Sequence, residues 1–366
     1  MYTPNPNAII YHRTYTLHRY DEDWLDCTAI VSTTVPIRFC ATGKKGIGHL
    51  RRVTNIAKVL YLRGYKNLEL YTNASVAGLS SAERDIYARV VVCPKAEFTH
   101  ELSLHGCGPV VVDTAIVEGL DTIDAPLILI LRETVENKVD QFRLPSGRLW
   151  DQVLIPNPAD HWNVEPDTVG AKRVGHVGWI YRSGANSDET IASASVTPHQ
   201  PASRTIVVAS GGGGHVNTGY QATVNAIIEQ TRLAVKNEAY FVVAKGPRAS
   251  TNQLFKSADE SRDFGSDLHS AFVSADVVVS TAGYNSVMEI ASSTTPALLI
   301  PVDTTFDDQL ARTERWGPML GHCHSTIETS SDWLIDLIKH YHRRPSIELG
   351  LSGAARAADH VQSFLL

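Results

Sequence analysis

Residues 280–301, STAGYNSVMEIASSTTPALLIP, form the stretch that decides the fold, and Asp307-Asp308-Gln309 follows shortly after it. An apolar run precedes the stretch, Gly283 interrupts it, a helical pattern starts at about Ser286, and a second apolar run ends at Pro301. This order predicts a strand, a glycine turn, a short helix and another strand. In a parallel sheet such a turn lies at the carboxyl edge, where the N–H groups of a helix start favour an anion. The stretch therefore predicts a phosphate site.

A purely structural interpretation of the same helix start is also open. Ser286 and Glu289 fit the S-x-x-E capping box, in which the serine caps the helix and the glutamate reaches back to the cap residue. The stretch alone does not decide between a helix cap and a ligand site.

Two further glycine-rich loops support a ligand. Residues 42–52 read TGKKGIGHLRR between an apolar run and a helical pattern, and residues 210–215 read SGGGGH after another apolar run. Glycines let a ligand approach the backbone closely, although a run of them can also be a flexible turn. The first loop is similar to that of short-chain dehydrogenases, but no tyrosine has a lysine four residues on, and no G-x-x-x-x-G-K-[ST] pattern occurs. Hydride transfer and P-loop chemistry are therefore disfavoured, and a bound diphosphate is favoured.

The repeated pattern along the chain predicts an α/β fold with two Rossmann-like domains. Short apolar runs alternate with helical segments, which is typical of parallel sheets covered on both faces. We expect an amino-terminal arm over residues 1–34, a first domain over 35–173, a linker over 174–203 and a second domain over 204–366. The two sheets would face a central cleft, and the last helix could pack back on the first domain.

Composition limits the classes of function. The chain has 366 residues, of which 43% are hydrophobic and 20% charged, as in a soluble two-domain protein. A net charge of -6 argues against general binding to nucleic acid. The five cysteines are scattered without a C-x-x-C pair. Together with the absence of a signal peptide and of a long apolar run, they predict a cytoplasmic protein without a transmembrane segment.

The three glycine motifs together resemble the GT-B glycosyltransferases of the family 28 type, which include the N-acetylglucosaminyltransferase of the peptidoglycan lipid precursor and uncharacterised bacterial relatives. The resemblance rests on GIGHLRR at residues 46–52, SGGGG at 210–214 and the 280–301 stretch with its Asp-Gln pair, and it covers the chain from about residue 35 onward. It implies the GT-B fold and a nucleotide-sugar donor. This chain has Thr-Ala-Gly-Tyr-Asn where the family has Arg-x-Gly-Ala, carries His215, and has an acidic residue in place of a glutamine before Gln309. The identity of the sugar therefore stays open.

The resemblance also implies roles for single residues. Glu289 would bind the ribose hydroxyls, and Asp308 and Gln309 the hydroxyls of the donor sugar. The other donor-binding residues that it implies, for the diphosphate and the base, are Gly46, Gly48, Arg182, Ser210, Gly211, Gly212, Gly213, Gly214, His215, Phe264, Gly265, Ala282, Gly283, Asn285 and Ser286.

His49 is the candidate catalytic base, because an imidazole changes its protonation near neutral pH and this position faces the cleft. It could instead donate a hydrogen bond to the diphosphate or cap the helix. Asp113, at the end of a strand on the same sheet edge, could orient the base or the acceptor. A single base candidate, without the E-x7-E pair of retaining GT-B families, favours inversion of the anomeric centre.

No metal or other cofactor is expected, because helix N–H groups can stabilise a leaving diphosphate. Asp21-Glu-Asp23 is interpreted as a solvated turn, and His322-Cys-His324 has no distant partners at zinc-ligand spacing.

The predicted enzyme transfers a sugar, with UDP as the expected nucleoside diphosphate, to an acceptor hydroxyl. A small soluble acceptor is favoured over a lipid-linked one, and homodimer formation is left open. A nucleotide-sugar hydrolase, a non-hydrolysing 2-epimerase and a non-catalytic sugar-nucleotide-binding subunit remain the alternatives.

Overall fold

The structure is a computed structural model, and it describes residues 9–12 (backbone only), 35–43, 47–104, 106–182, 203–209, 218–245, 255–265 and 267–365. Its first sheet has the strand order β1-β4-β3-β2-β5-β6-β7-β8, in which β2 to β8 are parallel and β1 pairs antiparallel with β4. The strands are β1 (Ile9–His12), β2 (Ile37–Ala41), β3 (Leu68–Thr72), β4 (Arg89–Val92), β5 (Val110–Asp113), β6 (Leu127–Ile130), β7 (Gln152–Ile155) and β8 (Val174–His176).

Helices cover both faces of this sheet, as its buried apolar strands require. They are α1 (Gly48–Leu62), α2 (Ser81–Asp85), α3 (Phe98–Ser103) and α4 (Pro166–Val169). Strand β1 lies within the predicted amino-terminal arm and forms one edge of the sheet.

The second sheet is entirely parallel, with the order β11-β10-β9-β12-β13-β14. Its strands are β9 (Arg204–Ala209), β10 (Ala239–Lys245), β11 (Glu260–Asp263), β12 (Val277–Thr281), β13 (Ala297–Ile300) and β14 (Gly321–Cys323). The helices of this half are α5 (Thr218–Val235), α6 (Leu268–Ser274), α7 (Tyr284–Ala291), α8 (Gln309–Leu320), α9 (Ile327–Lys339) and α10 (Ala354–Gln362).

Several boundaries differ from the sequence-based expectations. Helix α7 begins at Tyr284, two residues before the expected start, because the chain enters the helix directly from Gly283. Helix α9 begins at Ile327, directly after the capping residue Thr326. Strands β11 and β14 were not predicted, because they are short, partly exposed edge strands without an apolar run.

The last helix packs on the first domain. Ala357, Ala358 and Val361 of α10 are fully buried in the core that also contains Leu50 and Ile56 of α1. None of the helices in the described ranges combines the length and apolar character needed to cross a membrane.

A close backbone contact guides α10 to that position. The N–H of Gly353 donates to the carbonyl of Trp179 over 2.7 Å. A Cβ atom at Gly353 would lie 2.3 Å from the carbonyl oxygen of Gly178, so only glycine fits there.

Candidate functional site

The starts of helices α1 and α7 meet between the two domains. Each follows the carboxyl end of a central parallel strand, β2 and β12 respectively. Asn285 Nδ2 donates to the carbonyl oxygen of Gly48 over 2.9 Å, and a Cβ atom on Gly48 would lie 3.0 Å from that same nitrogen. The structure thus brings together two residues that the sequence predicted for the donor site from opposite halves of the chain.

His49 and Asp113, the two predicted catalytic residues, are in contact. His49 Nδ1 lies 3.0 Å from the backbone oxygen of Asp113 and 3.4 Å from its Oδ1. The His49 side chain is 22% exposed, whereas that of Asp113 is fully buried at the end of β5. The backbone oxygen can only accept a hydrogen bond, so a neutral His49 carries its proton on Nδ1, and its Nε2 is an acceptor that bonds to none of the described residues.

Arg52, one helical turn after His49, holds Asp113 in place. Its Nε and Nη2 donate to the two carboxylate oxygens over 2.8 and 2.9 Å, and Thr114 Oγ1 donates to Oδ1 over 3.0 Å. Burial by itself would raise the pKa of Asp113, but Arg52 and His49 outweigh it and lower that pKa to about 2. Asp113 is therefore ionised throughout the neutral range.

The start of α7 has no side-chain cap. Gly283 is the N-cap residue and makes no side-chain hydrogen bond, while Ser286 lies inside the helix and is 91% buried. The capping-box interpretation of Ser286 and Glu289 is therefore wrong, because the helix begins two residues too early for it. By contrast, Asp267, Asp308 and Thr326 cap α6, α8 and α9. The uncapped N–H groups of α7 suit an anion.

Glu289 lies on α7 among charged groups from both domains. Burial raises the pKa of Glu289 to about 7, against the opposing effects of Arg51 and Arg182 and together with those of Asp267 and Glu83. This carboxyl therefore titrates near neutral pH, and its two arginine neighbours favour the ionised form.

Arg182 lies near the start of α6, as do Phe264 and Gly265, which were expected to contact the nucleotide base of the donor. Arg182 Nη1 donates to Asp267 Oδ1 over 3.2 Å. Phe264 is partly buried, and Gly265, with a φ of +57°, donates its N–H to Asp263 Oδ1 over 2.7 Å. Asp267 thus connects Arg182 to the loop that was expected to contact the nucleotide base.

Asp308 and Gln309, at the start of α8, both make hydrogen bonds within the second domain. Asp308 caps α8 by accepting from the N–H of Ala311 over 3.0 Å, and Gln309 accepts from the N–H of Val302 over 3.2 Å. Their predicted contacts with the donor sugar stay a prediction. The neighbouring Asp307, which the sequence analysis quoted without giving it a role, is the residue that reaches across the cleft.

Asp307 forms an inter-domain ion-pair network. It pairs with Arg132, which follows β6 of the first domain, and with Arg312 of α8 over 2.8 Å. Arg312 and Arg315 in turn face Glu133, over 3.4 and 2.9 Å. Arg132 and Glu133 follow a buried strand at the carboxyl edge, and that position was the available signal for finding them.

Of the remaining predicted site residues, Ala282 lies within the described part of the chain. Ala282 is fully buried, and its carbonyl accepts from Arg312 Nη1 over 2.9 Å. Gly46 and residues 210–215 lie outside the described residues, as does Asp21-Glu-Asp23. Within the described ranges, no three His, Cys, Asp or Glu side chains form a group that could hold a metal ion.

Comparisons with known proteins bear on the fold and on the class of enzyme. Residues 206–313 match the family model of the glycosyltransferase family 28 C-terminal domain. No curated protein matches the sequence significantly.

Among solved structures, the glycosyltransferase of kitacinnamycin superposes with a TM-score of 0.59 at 15% identity, covering 91% of this chain and 99% of that one. S. aureus MnaA with UDP gives 0.59 at 14% identity, covering 91% and 97%. The spinosyn rhamnosyltransferase SpnG with thymidine diphosphate gives 0.50 at 14%, covering 90% and 96%.

At these identities the structural matches establish the fold, which confirms the expected pair of Rossmann-like domains. The family match adds the class of enzyme, over residues 206–313, which include α7 and Asp307 and Asp308. The chain is therefore a glycosyltransferase with the GT-B fold, and residues 206–313 of its second domain are similar to the glycosyltransferase family 28 C-terminal domain.

Proposed function

We propose that this glycosyltransferase transfers a sugar from a nucleoside-diphosphate donor to the hydroxyl of a small soluble acceptor. UDP is the first candidate for the nucleoside diphosphate. The transfer inverts the anomeric configuration and needs no metal ion. The observation that carries the proposal is the contact between the start of α1, which holds His49, and the uncapped start of α7. It puts a candidate base from one domain beside a candidate diphosphate site from the other.

His49 acts in this proposal as the general base. With Nδ1–H donating to the carbonyl of Asp113, the free Nε2 can accept the proton of the acceptor hydroxyl as that oxygen attacks the anomeric carbon. The buried carboxylate of Asp113, 3.4 Å from Nδ1, stabilises the imidazolium that forms. One base and one direct displacement give inversion.

The leaving diphosphate would be stabilised at the start of α7. The N–H groups that follow Gly283 carry the positive end of the helix dipole and need no reorganisation as negative charge develops on the leaving group. Glu289, further along the same helix, would bind the ribose hydroxyls in its ionised form.

The choice of nucleoside is supported by two of the structural neighbours, whose structures contain UDP and thymidine diphosphate. Both ligands are pyrimidine nucleoside diphosphates. The donor proposed for this chain is of the same class, with UDP as the first candidate.

A thermal-shift panel tests the donor class. UDP, TDP, GDP, ADP and NAD are compared with the common sugars of each diphosphate. A ligand at a hundred times its dissociation constant stabilises a folded protein by about 2.7 kcal/mol, which raises the melting temperature measurably. We expect a pyrimidine nucleoside diphosphate and one of its sugars to raise it and NAD to leave it unchanged. A panel in which no nucleotide shifts the transition contradicts the proposal.

Replacing the base tests the mechanism. His49→Ala should lower turnover of the donor identified by the panel by a factor of about 10² or more and leave its dissociation constant nearly unchanged. His340→Ala is the matched control, because His340 is the exposed C-cap residue of α9 and its side chain pairs with Asp336 of that helix. Unchanged turnover in the His49 variant would remove this residue from the mechanism.

A further inference from the structure

The Tyr284 ring, at the start of α7, lies beside two buried arginines from different domains. The Cζ of Arg52 is 4.9 Å from the ring centroid, and the Cζ of Arg312 is 5.9 Å from it. Both arginine residues are 1% exposed, and Tyr284 itself is 5% exposed. Arg52 belongs to the Asp113–His49 group of the first domain, and Arg312 belongs to the inter-domain network around Asp307.

The hydroxyl of Tyr284 fixes the ring against the first domain. It donates to the carbonyl of Pro156, which follows β7, over 2.5 Å and accepts from the N–H of Ile180 over 3.0 Å. Burial raises the pKa of Tyr284 to about 12, so the hydroxyl stays protonated and remains a donor. The ring therefore packs in the core of the second domain and is also bonded to Pro156 of the first.

The Tyr284 ring stabilises part of the buried positive charge of Arg52. Its Nε and Nη2 are bonded to Asp113, but its buried Nη1 has no hydrogen-bond partner among the described residues. A buried cation with an unused donor is costly unless another group stabilises the charge. The π face of Tyr284 supplies such a group through a cation–π interaction.

We propose that Tyr284 of the second domain is a positioning residue for the first domain. Its ring contacts Arg52 and thereby keeps Asp113 and His49 aligned. The inference rests on the proposed function of His49. The same helix start makes the second contact with α1, through Asn285 and Gly48. The element proposed to bind the diphosphate thus also sets the geometry of the base.

Two substitutions separate the ring from the hydroxyl. Tyr284→Phe keeps the ring and loses two buried hydrogen bonds, whereas Tyr284→Leu keeps apolar volume without a π face. Tyr71→Phe is the matched control, because Tyr71 is a fully buried tyrosine that bonds to Glu69 within β3, away from the cleft. For each variant, kcat, KM, the dissociation constant of UDP and the ¹⁵N NMR signals of the His49 imidazole are measured.

We expect Tyr284→Leu to lower kcat by at least about tenfold with the UDP dissociation constant within about threefold, and to shift or broaden the His49 signals. Tyr284→Phe should retain at least about a third of kcat and the wild-type His49 signals, as should Tyr71→Phe, although both lower the melting temperature. If Tyr284→Leu matches Tyr71→Phe in kcat and in the His49 spectrum, Tyr284 has no positioning role.

The NMR comparison separates the two claims. A wild-type protein that turns over no nucleotide sugar contradicts the proposed function. The dependence of the His49 signals on the Tyr284 ring would still support or overturn the positioning role.

Discussion

At the scale of single residues, Glu289 is expected to make stability and donor binding depend on pH. Burial raises its pKa to about 7, from an ordinary value of 4.5, although Arg51 and Arg182 oppose the shift. A carboxyl whose pKa is higher in the folded state binds more protons there than in the unfolded chain. Its contribution to the free energy of unfolding is therefore present below about pH 4.5 and decreases as the pH rises towards 7.

Donor binding should show the opposite trend. Ribose hydroxyls donate best to an ionised carboxylate, so the protonated form of Glu289 should bind the donor more weakly. Between pH 8 and pH 6 we expect the affinity for a UDP-sugar, measured by calorimetry, to fall by about tenfold. A UDP-sugar is used because its diphosphate has no free terminal phosphate that titrates in this range. Glu289→Gln should bind with an affinity that is weaker but constant. A wild-type affinity that does not change with pH would argue against Glu289 as the ribose ligand.

Site residues could be predicted from the sequence where a motif also lay at the carboxyl edge of a predicted sheet. His49 follows a glycine loop, and Asp113 ends a strand at the same edge, so their contact could be expected before the structure was known. Tyr284 gave no such signal, because an aromatic residue at a helix start is usually part of the core. Its contacts depend on Pro156 and Arg52, which are distant in sequence.

At the scale of elements, the far end of α7 is held by a buried arginine. Arg344 Nη2 donates to the carbonyls of Ile290 and Ser293, each over 2.6 Å, and its Nε donates to that of Thr295 over 3.1 Å. Burial lowers the pKa of Arg344 to about 10, so it remains charged at neutral pH. These bonds satisfy carbonyls at the end of the helix that would otherwise be buried without donors.

Arg344→Met should therefore lower the free energy of unfolding by about 2 kcal/mol or more. The adjacent Arg343 is exposed and bonds to the Thr295 hydroxyl, so Arg343→Met should lower it by less than about 1 kcal/mol. Urea unfolding of both variants measures the difference. Equal values would show that Arg344 does not support the end of α7.

The elements themselves were largely predictable. Fully buried strands such as β5 and β12 appear in the sequence as continuous apolar runs, and their parallel pairing follows from the helices between them. The start of α7 was misjudged because S-x-x-E indicates a helix cap, whereas the chain enters the helix from Gly283 without one.

At the scale of the whole molecule, Asp307 connects the domains. Burial alone would raise its pKa, but Arg132 and Arg312 outweigh that effect and lower the pKa of Asp307 to about 2. The charge of Asp307 is therefore present at every pH above about 4, and it compensates the partly buried Arg132 of the first domain and the fully buried Arg312 of the second. The partners Arg132 and Asp307 are 175 residues apart in sequence, so no local pattern could predict their pairing.

Asp307→Asn should leave both arginines without this compensation and lower stability by about 3 kcal/mol or more. It should also weaken the contact between the two domains, seen as a larger radius of gyration in small-angle X-ray scattering. Asp359→Asn is the control, because Asp359 forms an exposed ion pair with Arg63 between α10 and α1 and should contribute less than about 1 kcal/mol. Identical scattering and stability of the two variants would contradict a domain-linking role for Asp307.

The central claim is the transfer of a sugar by an inverting mechanism in the cleft between the domains. The most direct measurement is the fate of a ¹³C-labelled sugar on the donor identified by thermal shift, followed by mass spectrometry and NMR with and without a panel of small hydroxyl acceptors. The account predicts that nucleoside diphosphate is released together with an equal amount of labelled acceptor glycoside, whose anomeric configuration is inverted relative to the donor. Free labelled sugar or an epimerised donor, formed at the same rate without an acceptor, would contradict it.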